Sequence, residues 1–137
     1  MIDTINKKWG WTDVKAVEIL ATNDFGNVLF KSDKGTYWRI CPEELYCEKI
    51  AESFAEYEKV IKSEYFTSGW EVPELVETAS NYLGKLEEGE KYCLKLPSIL
   101  GGLPDLGNLG KIDHLLLLSF SGEMAQHVKD LPDGAKF

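Results

Sequence analysis

Val28-Leu29-Phe30-Lys31-Ser32-Asp33-Lys34-Gly35-Thr36-Tyr37-Trp38-Arg39-Ile40-Cys41-Pro42 decides the fold class. Two short runs rich in apolar and aromatic residues, Val28 to Lys31 and Thr36 to Cys41, flank Ser32-Asp33-Lys34-Gly35, whose residues favour a tight turn. The stretch reads as an antiparallel hairpin. Side chains alternate along a strand, so Trp38 and Ile40 face one way while Tyr37 and Arg39 face the other. Pro42 has no N–H for the ladder and ends the second strand.

Upstream, Val14 to Thr22 alternates as a strand and is followed by the turn residues Asn23-Asp24-Phe25-Gly26-Asn27. Downstream, Tyr46 to Ala51 returns as a further strand. Ser53-Phe54-Ala55-Glu56 is a capping box, which predicts a helix to about Glu64 with Phe54, Tyr57, Ile61 and Tyr65 on its apolar stripe. Glu58 and Lys62 form an outward i,i+4 pair in the favourable order. A second helix is predicted from Pro73 to Leu83, with proline in its first turn and Gly84 as its stop. Leu75, Val76, Ala79, Tyr82 and Leu83 pack in this reading, and Glu74 and Glu77 point outward. Tyr92 to Leu96 reads as a strand, Gly101 to Gly110 as a loop holding Pro104 and Asp105, and Ile112 to Leu131 as a last helix with Gly122 as a weak point.

These elements predict an α+β single domain over residues 1–137, a mixed, mostly antiparallel sheet packed with about three helices. Trp38, Ile40, Phe54, Ile61, Leu75, Leu115 and Leu116 are expected to share one core. There is no internal repeat and no composition break. Hydrophobic residues make up 44% and aromatic ones 12%, enough to fill such a core.

Charge narrows the function. The chain carries 15 basic and 23 acidic residues, a formal net charge of −8. An average surface of this sign repels phosphate backbones and anionic membranes, so nucleic-acid and membrane partners are not expected. The excess is concentrated: Glu43 to Tyr92 holds 13 carboxylates against 5 lysines, and the remainder balances. Such a stretch is either a solvated face or an electrostatic docking surface.

Motifs for chemistry fail on inspection. The glycine-rich loop lacks phosphate-loop spacing, because Asp105 and Ile112 stand where glycine and serine or threonine are required. His114 and His127 fall on one predicted helix roughly 20 Å apart and on different faces, too far to share a metal or a nucleophile. Both read as surface or cap-region residues. Cys41, Cys47 and Cys93 form no C-x-x-C pair and read as reduced thiols, with no disulfide and no bound metal. Carboxylates are so abundant that none singles itself out for acid–base work. No catalytic residue, metal or cofactor is therefore expected. The start of the chain has no export signal and no run spans a bilayer, so a cytoplasmic location is expected.

A larger pattern runs through the chain. Tyr37-Trp38-Arg39-Ile40-Cys41-Pro42-Glu43-Glu44-Leu45 is followed by Ile50-Ala51-Glu52-Ser53, Trp70-Glu71, Leu83-Gly84-Lys85-Leu86 with Gly89, Leu100-Gly101-Gly102 and Asn108-Leu109-Gly110. From Trp9 onward this resembles the C-terminal domain family of type VI secretion system immunity proteins, whose namesake protects against a secreted DNase. Members often carry a preceding GAD-like domain, which is not expected here. The turn, the hairpin and Ile50-Ala51-Glu52-Ser53 before a helix also resemble the SMI1/KNR4-like immunity superfamily. The resemblance implies a non-enzymatic protein that binds and neutralises a cognate protein toxin with a basic surface.

The residues expected to bind that toxin are Glu71, Glu74 and Glu77 on the acidic second helix and its approach, with Asp105 at the tip of the glycine loop. Two other functions fit the same residues: a regulatory protein-binding module of this fold, and a small enzyme with a site of scattered carboxylates. The sequence does not specify the oligomeric state.

Overall fold

The computed structural model describes residues 1–103 and 105–129. Helix α1 (Ile2–Lys8) leads into four strands, β1 (Ala16–Thr22), β2 (Val28–Ser32), β3 (Tyr37–Cys41) and β4 (Tyr46–Ala51). Three helices follow, α2 (Phe54–Lys62), α3 (Glu64–Glu71) and α4 (Pro73–Leu83), then strands β5 (Glu90–Leu94) and β6 (Leu109–Asp113) and helix α5 (His114–Val128). Strands β1 to β4 form one antiparallel sheet in sequence order, and β5 pairs with β6 in a second. The class is α+β, with the strands split between two sheets and five α-helices among the described residues.

The β2–β3 hairpin forms across Ser32 to Gly35. The Gly35 N–H donates to the Ser32 carbonyl at 3.1 Å, and Ser32 N–H donates to Thr36 at 2.8 Å. Gly35 takes φ +76°, a left-handed conformation that favours glycine. Val28, Leu29 and Phe30 are all buried because β2 is an interior strand covered on both faces. Val28, Phe30 and Ile40 meet Ile5 and Trp9 near α1 and Leu118 and Ala125 of α5. Leu29 and Tyr37 meet Tyr57 of α2 and Phe66 of α3 on the opposite face. Phe25 and Ala79 of α4 meet Tyr92, Leu94 and Leu109 of the small sheet.

The single expected core is thus three clusters, separated by the sheet and by the second hairpin. Ile40, Trp38, Ile61 and Leu75 join them, but in different clusters. Phe54, Leu115 and Leu116 are 59%, 44% and 51% exposed and belong to none. Helix α5 instead buries Leu117, Leu118, Ser121, Gly122 and Ala125. Its small residues let α1 approach: a Cβ on Gly122 would lie 2.6 Å from the Lys8 carbonyl oxygen. Gly122 is the crossing point of two helices rather than a weak point. The part of the predicted last helix beyond 129 lies outside the described residues.

The helix ends that the sequence punctuates are where expected. Ser53 caps α2 by accepting from the Glu56 N–H at 3.2 Å. Pro73 opens α4 and Gly84 closes it. Helix α3 is new relative to the sequence reading, and Ser63 caps it by accepting from the Phe66 N–H. The glycine-rich segment is clamped by Asn108, whose side chain accepts from Leu96 N–H at 2.7 Å and donates to the Leu96 and Leu103 carbonyls. A Cβ on Gly102 would collide with the Leu96 carbonyl. Close backbone approach requires glycine at 102, and a φ of +97° favours it at 101.

Candidate partner-binding site

The site starts from Arg39. Strand alternation turns it to the α2–α3 face, where its guanidinium lies 5.3 Å from the Trp70 ring centroid and 5.8 Å from that of Phe66. Its Nε and Nη2 donate to Asn27 Oδ1 at 3.0 and 2.8 Å, and Nη2 also donates to the Gly69 carbonyl at 3.2 Å. Asn27 is fully buried. Its Nδ2 donates to both carboxylate oxygens of Glu43, at 2.7 and 3.0 Å. One amide therefore stands between a cation and an anion, with its oxygen toward the guanidinium and its nitrogen toward the carboxylate.

Glu43 is held at the β3–β4 turn, where its backbone carbonyl accepts from the Ser98 N–H at 2.8 Å. Burial raises its carboxyl above the ordinary range, opposed by hydrogen bonds from Cys41 and Asn27 and by the charge of Arg39. The Cys41 thiol donates to Glu43 at 2.7 Å. Burial and the neighbouring carboxylate push that thiol far up. Cys47 is pushed up to about 12 by burial, and Cys93 is raised for the same reason. Thiols in such surroundings stay protonated at neutral pH and are poor nucleophiles.

Beside this network lies a groove of about 800 Å³. Helices α2 and α3 cover one end of the sheet face and leave the other open, so β4 contributes Tyr46, Glu48 and Ile50 as one wall. Glu44 lies at the turn, Tyr65 and Phe66 lie on α3, and Val72 and Leu75 close the end toward α4. Val72 joins the two helices with φ +34°, in the left-handed region that a β-branched residue rarely adopts. Phe25 and Asn23 reach the groove from the β1–β2 connection, and Asn23 Nδ2 donates to the Trp70 carbonyl at 2.9 Å.

Glu71 ends α3, and Glu74 and Glu77 stand three residues apart on the first turns of α4. All three are exposed, and among the described residues none has a cation within 4.0 Å. Asp105 is exposed on a different segment, where its side chain caps the 3₁₀ turn Leu106–Asn108 by accepting from the Asn108 N–H. The structure thus gathers the three glutamates at one helix corner and gives Asp105 a local structural bond of its own.

The histidines part company. His127 is exposed, but His114 is buried, and its Nε2–H donates to the Gly26 carbonyl at 2.9 Å. Burial lowers its pKa, so the ring is held neutral. His114 follows the α5 cap yet is not a surface residue, because Gly26 lies against it. Among the described residues no cluster of histidine, cysteine and carboxylate side chains could hold a metal ion. No described helix is long and apolar enough to cross a membrane.

The family described as T6SS immunity protein Tdi1, C-terminal, matches residues 51–125, more than half of the chain. The chain belongs to this family. The match to the Tdi1 C-terminal family starts at Ala51, so the groove's β3–β4 wall lies outside it and its α3–α4 side lies within. No curated protein matches the chain in sequence. In fold it is similar to the crystal structure of Atu4351 from Agrobacterium tumefaciens, with a TM-score of 0.58 and 20% identity over 88% of this chain. The chain spans 62% of that protein's length.

The sequence reading missed the Asn27–Arg39–Glu43 network and the groove. Alternation correctly set Arg39 apart from Trp38 and Ile40. Its partners, however, come from two turns, and no periodicity links residues 27, 39 and 43.

Proposed function

We propose that this member of the Tdi1 C-terminal family is a cytoplasmic immunity protein that binds a secreted effector, a nuclease with a basic surface, and neutralises it without catalysis. Family membership carries the reading. The acidic corner supports it: Glu71, Glu74 and Glu77 are exposed and unpaired among the described residues, and a nuclease presents cations to its substrate. Opposite fields speed encounter and orient the partners before contact. Asp105 is assigned to the same toxin-binding surface as a secondary contact. No nucleic acid or membrane is a partner in this reading, because the net charge of −8 opposes both.

The test is co-production with the effector encoded by the adjacent reading frame. The parent should co-purify with it and rescue growth. The association rate should fall as salt rises, because steering is screened over about 8–10 Å. A parent that neither captures that effector nor protects against it sinks the proposal.

A further inference from the structure

The open end of the sheet face carries chemistry that folding does not use. Tyr65 is 93% exposed on the groove's lip, so its ring covers nothing in the free chain. Aromatic side chains of this kind are the ones that interfaces bury. Arg39 commits its Nε and Nη2 to Asn27 and Gly69, and the Trp70 ring flanks its guanidinium, so its charge is drawn back toward α3. The wall opposite is different. Glu48 faces Arg39 in the β3–β4 register, yet the guanidinium turns elsewhere, and Glu44 lies exposed at the adjoining turn. Among the described residues neither carboxylate has a cation within 4.0 Å.

Two carboxylates outside any ion pair among the described residues and an exposed ring around an 800 Å³ groove suit one kind of guest, a cationic side chain. Carboxylates accept its N–H bonds and a ring face attracts its charge. A guanidinium fits better than an ammonium, because its planar fork can pair with carboxylates and stack at once. The groove also meets the acidic corner, since Val72 and Leu75 line it beside Glu71 and Glu74. Charges that steer a basic partner therefore lead to the place that can hold it.

We infer that the groove receives an arginine-bearing loop of the effector, with Glu44 and Glu48 pairing its guanidinium and Tyr65 stacking on it. The identity of the partner rests on the proposed function above; the arginine seat rests on the groove.

The full chain is compared with a groove variant, Glu44→Gln with Glu48→Gln and Tyr65→Ala, and both are titrated with hexa-arginine and hexaglutamate peptides while amide resonances are followed. All three changed residues are exposed, so the unfolding midpoint of the variant should match the parent. Hexa-arginine should shift the resonances of Glu48, Phe66 and Gly69 and bind the groove variant roughly tenfold more weakly. Hexaglutamate should shift none of them. The groove variant should also lose capture of the adjacent-gene effector. Peptide shifts located elsewhere, or a groove variant that captures effector like the parent, overturn the inference while the immunity reading stands. A parent that captures no effector sinks that reading instead, and the peptide shifts alone then decide the groove. A dimer of the parent that the groove variant dissolves in sedimentation would assign the groove to a second copy and overturn the inference.

Discussion

Glu43 and Glu74 are the same side chain in opposite situations. Glu43 is folded into the turn after β3, receives two bonds from Asn27 and one from Cys41, and has its carboxyl raised by burial. Glu74 stands in the first turn of α4 with no cation near it among the described residues. The first charge is compensated inside the molecule and serves the fold. The second costs the fold almost nothing and remains available to a partner. If the comparison is sound, substitutions in the two regions separate stability from binding.

The largest effect is expected at Asn27, the amide between Arg39 and Glu43. Asn27→Ala leaves a half-buried carboxylate and a half-buried guanidinium without the buried amide that joins them, and should cost about 3–5 kcal/mol in denaturant unfolding. A loss below about 1 kcal/mol would mean that water replaces the amide and that the network is not sealed.

Glu43 gives a smaller and more discriminating result. Glu43→Ala orphans the Asn27 Nδ2 donor and should cost about 1–3 kcal/mol. Glu43→Gln keeps an acceptor and removes a charge that burial disfavours, so it should cost less than Glu43→Ala at neutral pH. The pH dependence has a definite sign. A carboxyl raised in the fold stabilises fully below its unfolded value, near 4.5, and the contribution fades as pH rises through the folded value. The parent should therefore lose stability relative to Glu43→Gln as pH rises from that value. A constant gap would contradict the burial of Glu43.

His114 supplies the opposite slope. Its pKa is lowered by burial, so its contribution is present above the unfolded value of 6.5 and is lost as pH falls below it toward the folded value. His114→Gln retains a donor for the Gly26 carbonyl without a titrating ring. Urea melts between pH 7.5 and pH 5.5 should show the parent losing more stability than this variant. Equal losses would show that the ring is not held neutral.

The two regions also differ in how well the sequence announces them. The acidic corner was readable because Pro73 and Gly84 punctuate α4 and helical spacing puts Glu74 and Glu77 outward. Strand β4 and the Ser53 cap were readable for similar reasons, since Pro42 and the capping box bound them. The buried network was not, because it joins residues from two turns. Helix α3 was hidden by Thr67, Ser68 and Gly69, which favour helix weakly; the Ser63 cap and the burial of Phe66 hold it. In α5 the apolar run Leu115 to Leu118 has no polar gap to mark a face. Close contact at Gly122 chose the small-residue face and left Leu115 and Leu116 outside. Strand β6 was masked because glycine content assigns Gly110 to the loop and Ile112 reads as the start of the last helix, although a strand passes through both.

The smallest effect on stability should come from the acidic corner, and there the comparison is most exposed to failure. Glu74→Lys with Glu77→Lys removes two exposed charges that favour the α4 dipole, each worth a few tenths of a kcal/mol. Unfolding should therefore shift by no more than about 1 kcal/mol, far less than for Asn27→Ala. Binding should respond in the opposite order. Reversing two charges changes the field met by a basic partner by four units, so association with the cognate effector should slow, and protection should be lost while the fold survives. Raising salt should slow the parent toward the variant, because the parent has the larger attraction to screen. Stopped-flow association at low and high salt, run beside thermal melts of both proteins, measures the two halves together. A double variant that binds and protects like the parent would make this corner a solvated face and move the docking surface elsewhere. A variant that fails only by unfolding would show that these glutamates belong with Glu43, as charges the fold itself requires.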